Sequence, residues 1–92
     1  YVIMNNNQFL KTENLFNSLL HKKVDLSLSG CLESSLIINS FKYLLNLDLL
    51  TIMDSSNNYY FKFNINQVYN VSFEKDKIVF YLDYDVNVTI LY

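Results

Sequence analysis

Along the C-terminal half of the chain, apolar and polar residues take turns one by one. Phe61, Phe63 and Ile65 alternate with Tyr60, Lys62 and Asn64, and Ile78, Phe80 and Leu82 alternate with Val79, Tyr81 and Asp83. A period of two puts one set on each face of a pleated strand, so this half is expected to form antiparallel sheet with one apolar and one mixed face. Polar clusters at Ser55-Ser56-Asn57-Asn58, Glu74-Lys75-Asp76-Lys77 and Tyr84-Asp85 punctuate it. They divide it into strands over Leu49–Asp54, Tyr59–Ile65, Gln67–Phe73, Ile78–Asp83 and Val86–Tyr92, a meander of about five strands.

The N-terminal half reads differently. Thr12 is placed to cap a helix whose Leu15, Phe16, Leu19 and Leu20 form one apolar stripe. Lys22 and Lys23 follow at the end where the helix dipole favours cations. Val24 to Ser29 alternates strictly and predicts a short half-buried strand ended by Gly30. Between Cys31 and Leu47, the residues Leu32, Leu36, Ile37, Ser40, Phe41, Leu44 and Leu45 fall on one helical face and Glu33, Asn39, Lys42 and Asn46 on the other, which predicts a second helix. The expected fold class is therefore α+β: two helices from the N-terminal half packed on the antiparallel β meander. It forms a single domain over residues 1–92, with 1–7 as a solvated lead-in, since a chain this short supports one core.

The order helix, short strand, helix, strand hairpin over about residues 12–65 resembles the winged-helix pattern. A small Sm-like or SH3-like barrel is the other arrangement, with Leu32 to Met53 as a bent strand pair. Both folds would imply contact with nucleic acid, but the charge does not support it. The formal net charge is -2, the sequence contains no Arg for bidentate contact to phosphate or guanine, and its lysines are scattered.

Composition narrows the chemistry further. The chain has 1 Gly, 0 Pro, 0 Trp and 1 Cys and is rich in Asn, Lys, Ile, Tyr and Phe. This bias suits AT-rich coding and lowers the chemical meaning of each Asn, including Asn5-Asn6-Asn7. A lone thiol precludes an internal disulfide and a multi-cysteine zinc site, which suits a reducing, cytoplasmic setting. The most apolar stretch, Leu36 to Met53, is interrupted by Asn39, Ser40, Lys42, Asn46, Asp48 and Thr51 and is too polar for a membrane span. The N-terminus lacks the layout of a signal peptide.

Cys31 is the one candidate nucleophile, at the expected start of the second helix, where a dipole lowers a thiol pKa. It needs a base, and His21, the only imidazole, reads as a helix-terminal side chain; a small packed residue is the expectation for Cys31. Asp83 and Asp85, two apart on one face with Asp76 in the preceding turn, are the only carboxylate group worth weighing for a cation. Without a turn glycine or further oxygen ligands they read as solvated turn and edge residues, as does Asp54. No phosphate-binding glycine loop exists, so no catalytic, metal or cofactor site is expected.

The remaining signal is aromatic. Tyr59, Tyr60, Tyr69, Tyr81, Tyr84 and Tyr92 exceed what one side of a small core hides, and Tyr is enriched at protein interfaces. Cross-strand pairing over the second sheet face is the plainer role for the same rings. The uncharged last strand, Val86 to Tyr92, would invite strand addition if it stood at an edge. The sequence thus points to a small non-enzymatic interaction module that binds a protein partner or itself through an aromatic sheet face or edge strand. Size and coding bias suit an accessory or inhibitory protein of a phage, mobile element or AT-rich bacterium. The alternative is a nucleic-acid-associated regulator on a winged-helix or small-barrel fold.

Overall fold

Among the described residues, one α-helix and eight strands follow each other along the chain. The computed structural model describes residues 4–30, 33–56, 59–83 and 85–92. The helix α1 spans Asn6–Leu19, and β1 (Val24–Gly30), β2 (Ser34–Ile38), β3 (Phe41–Asn46), β4 (Leu49–Asp54) and β5 (Tyr60–Asn64) come after it. A 3-10 turn at Ile65–Gln67 leads to β6 (Val68–Phe73), β7 (Lys77–Leu82) and β8 (Val86–Leu91). All pairing is antiparallel, in a five-stranded sheet ordered β2-β1-β8-β7-β6 and a three-stranded sheet ordered β3-β4-β5. The α+β class holds, with one helix among the described residues where two were expected.

The helix begins earlier than its apolar stripe suggested. Asn5 caps it: the Gln8 amide donates to Asn5 Oδ1 at 2.8 Å, and the Asn5 amide donates to Gln8 Oε1 at 3.3 Å. This reciprocal pair satisfies two amides that the first turn otherwise leaves without partners. Thr12 is not the cap but an interior residue, buried, with its hydroxyl donating to the Gln8 carbonyl at 2.8 Å. The asparagine run is thus helix start rather than loose lead-in. Asn5→Ala is expected to cost about 1 kcal/mol, read as a lower urea midpoint with unchanged slope. The helix stops at Leu19, so Lys22 and Lys23 lie beyond its last turn. The chain turns there through His21 at φ 64, and the backbone ties to β3 where the His21 amide donates to the Phe41 carbonyl at 2.8 Å.

The expected second helix is two strands. Inward residues Leu36 and Ile38 on β2, then Phe41, Tyr43 and Leu45 on β3, alternate with exposed Ile37, Lys42, Leu44 and Asn46. The same spacing had fitted a helical face, but β3 finds a complete ladder on β4, from Phe41 opposite Asp54 to Asn46 opposite Leu49. Long-range pairing overrides a helical period in a leucine-rich run. The corner between β2 and β3, at Asn39-Ser40, carries the chain from the five-stranded to the three-stranded sheet, and the 3-10 turn carries it back. The five predicted C-terminal strands all form, yet they are shared between the two sheets, and the described residues hold one α-helix rather than the three of a winged helix.

β8 is not an edge. It lies between β1 and β7, with Leu26 opposite Ile90 on one side and Ile78 opposite Ile90 on the other, so both of its sides are paired and strand addition there is precluded. The β1–β8 register also explains Gly30. It has φ 114, and a Cβ there would overlap the Asp85 carbonyl, so only glycine fits where β1 passes the β7–β8 turn.

Both sheets turn their apolar faces to one core closed by the helix. Phe16 from α1 meets Phe41 at 5.3 Å and Phe80 at 6.1 Å between ring centroids, and Phe80 meets Phe63 of the three-stranded sheet at 5.3 Å. Such tilted contacts add about 0.5–1.5 kcal/mol each beyond burial.

Candidate functional site

The ladder of the three-stranded sheet determines which side chains share its outer face. Lys42 pairs with Met53 and Met53 with Tyr60; Leu44 pairs with Thr51 and Thr51 with Lys62; Asn46 pairs with Leu49 and Leu49 with Asn64. Directly opposed residues point the same way, so these three rows form one surface. The inner face carries Tyr43, Leu45, Leu50, Ile52, Phe61 and Phe63, which pack on the core.

This outer surface is unusual for sheet exposed to water, which ordinarily presents polar residues. Leu44 is 55% exposed, Leu49 40% and Tyr60 64%, and Leu47 and Tyr59 stand exposed in the adjoining turns. A shallow groove of about 650 Å³ crosses all three strands, lined by Lys42, Leu44, Met53, Tyr59, Tyr60 and Lys62 among others. Lys62 Nζ lies 5.1 Å from the centre of the Tyr60 ring, a cation–π contact that holds the ammonium at the groove wall.

At one end the groove meets Asp54, which is not the solvated turn residue its position suggested. It is 2% exposed. Its Oδ2 accepts the Asn39 amide at 2.9 Å, and its Oδ1 accepts the Ser40 amide at 3.1 Å, the Ser56 amide at 3.0 Å and the Ser56 hydroxyl at 2.7 Å. One carboxylate thus fastens the β2–β3 corner to the β4–β5 turn. These bonds make it a structural clamp beneath the groove.

Of the six tyrosines singled out in the sequence, the five that are described do not form one site. Tyr59 and Tyr60 reach the groove. Tyr69 and Tyr81 pair on the outer face of the five-stranded sheet, 6.3 Å between rings. Tyr92 is anchored elsewhere, its hydroxyl donating to the Glu74 carbonyl at 3.0 Å; partial burial first, and nearby Asp76 second, raise its phenol above the usual 10.0. Tyr84 and Cys31 lie outside the described residues. Lys42, Leu44, Met53 and Lys62 were not anticipated: the alternation of Lys42 and Leu44 within β3 was concealed by the helix assignment, and Met53 and Lys62, on predicted strands, are brought beside Tyr60 only by the register.

The other candidates gather no chemistry. His21 is exposed, its backbone serving the turn after α1. Asp83 and Asp85 are exposed around the β7–β8 turn, Asp85 at φ 59. Among the described residues no three His, Cys, Asp or Glu side chains lie together as a metal ion would require, and no helix is long and apolar enough to cross a membrane. No family model, curated protein or solved structure matches the chain.

Proposed function

We propose that the protein is a non-enzymatic interaction module that binds another protein through the outer face of its three-stranded sheet. The supporting observation is the concentration of Leu44, Tyr59 and Tyr60, all exposed, around one groove that crosses the sheet, with exposed Leu49 farther along the same face. Exposed apolar side chains scattered singly mean little; a contiguous set with polar groups at its rim marks a binding surface. Tyr and Met supply contact area suited to such a surface. The chain's size and coding bias support an accessory or inhibitory role in a phage, mobile element or AT-rich bacterium. A nucleic-acid regulator draws support only from the two lysines beside Tyr60, in a chain without Arg.

The proposal is tested by affinity capture from cells with three baits: the wild-type chain, Leu44→Asp on the groove and Tyr69→Asp on the opposite sheet. A partner retained by wild type and Tyr69→Asp but weakened at least about tenfold by Leu44→Asp is expected, as for truncation of an interface centre. Equal retention by all three baits would place the binding surface elsewhere. Both substituted residues are exposed, so the three baits are expected to be equally folded.

A further inference from the structure

Charge on the groove face singles out the kind of partner. Its outward rows hold Lys42 and Lys62 and no carboxylate. Asp54 borders the groove with its oxygens engaged by the amides of Asn39, Ser40 and Ser56, and Asp48 belongs to the turn at the far end of the sheet. Neither lysine has an ion-pair partner among the described residues, although the chain as a whole is acidic, with 9 Asp and Glu against 7 Lys. Two ammonium groups stand around an apolar centre, on a face from which acid has been left out.

Their placement is specific. Lys42 lies on β3 and Lys62 on β5, two strands apart and two residues out of register. Standard sheet dimensions put their Cα atoms about 12 Å apart, with Met53 and Thr51 beneath the midpoint. An extended chain advances about 13 Å in four residues, and its residues i, i+2 and i+4 point to one side. We infer, building on the interaction reading above, that the face takes an extended acidic segment of another protein. That segment carries carboxylates four residues apart for Lys42 and Lys62, around a large apolar side chain that rests on Met53 between Leu44 and Tyr60.

A second copy of the chain does not suit this face. A two-fold contact sets the same surface against itself, and this surface would bring lysines together with no carboxylate in its rows to neutralise them.

A phage-displayed library of random dodecapeptides, panned on the full chain, tests the inference. Peptides with two acidic residues about four apart flanking a large apolar residue are expected to be enriched. Lys42 and Lys62 are both exposed, so the fold is expected to tolerate Lys42→Glu/Lys62→Glu, and this double change should weaken them at least about tenfold and select basic peptides instead. Raising salt from 50 to 500 mM should weaken wild-type binding, since rim charges are screened. Enriched peptides that need Leu44 but carry no acid would overturn the acidic partner while leaving the interaction surface standing. If no enriched peptide responds to Leu44→Asp, both readings fail. Oligothymidylate binding, or self-association, that disappears in the double lysine variant would also overturn it, by showing a nucleic acid or a second copy as the occupant.

Discussion

Asp54→Ala is expected to lower stability by about 3–5 kcal/mol, although no sequence motif marks this residue. Among the described residues the carboxylate accepts three backbone amides and one hydroxyl from two separate turns. Removing it takes a charged acceptor from the Asn39, Ser40 and Ser56 amides, in part-buried surroundings, and each hydrogen bond to a charged group contributes about 1.5–3 kcal/mol. Water entering the vacated space recovers part of that, which sets the upper end of the range. Asp54→Asn keeps an oxygen for Ser40 and Ser56 but turns an amide group toward the Asn39 N–H, donor against donor, for a loss of about 2 kcal/mol. Urea unfolding of the three proteins should give the order wild type, Asn, Ala. Thermal melting should place the alanine variant about 15 °C or more below wild type. Equal stability of Asp and Asn would show that the Asn39 bond contributes nothing. The corner also aligns β3 with β5, so the alanine variant is expected to lose partner binding along with stability.

The sequence could not disclose the role of Asp54 because its partners Asn39 and Ser40 are 15 and 14 residues away at a corner that the helical period placed inside a helix. The same segment shows why some of this fold was readable and some was not. In β1, Val24 and Leu26 are buried and Asp25 exposed, and no helical period competes with that alternation. In β3, Phe41, Tyr43 and Leu45 alternate equally well with Lys42, Leu44 and Asn46, but leucines on both faces also satisfy a helical stripe. Only pairing with β4 decides between them. Punctuation that would have helped is missing: with no proline and one glycine, the β3–β4 turn is made by Leu47 at φ 58 and the β7–β8 turn by Asp85 at φ 59. Leucine in the left-handed region is uncommon and carries no turn signal in sequence.

Strand existence was more legible than strand partnership. The five C-terminal strands followed from local alternation, whereas the placement of β8 beside β1 joins residues more than sixty positions apart, such as Leu26 and Ile90. That pairing removes the edge which the uncharged last strand had suggested. The binding face depended on the same missing information. Tyrosines were visible in composition, but which of them share a surface follows from register, and register groups Tyr60 with Lys42 and Met53 rather than with Tyr69 or Tyr81.

Phe80→Ala is expected to cost about 3–5 kcal/mol, a figure that follows from position rather than residue type. Phe80 is 0% exposed in the middle of β7, between Phe16 of the helix and Phe63 of the three-stranded sheet. Alanine there removes two ring contacts and leaves a cavity at the meeting point of helix and both sheets, where neither sheet can shift inward without straining its ladders. Phe61 offers the comparison. It is half-buried on an edge strand, with its ring 5.8 Å from Phe63, so Phe61→Ala should cost only about 1–2 kcal/mol. Phe80→Leu keeps most of the volume and should cost less than the alanine change by about half. Urea unfolding of the three variants measures the order directly, and equal losses at Phe61 and Phe80 would show that the two sheets do not share a core at Phe80. The outcome bears on function, because Phe63 is on the inner face of the strand that presents Tyr60 and Lys62 on its outer face. A cavity beneath it should loosen the groove and weaken binding even at temperatures where the chain remains folded.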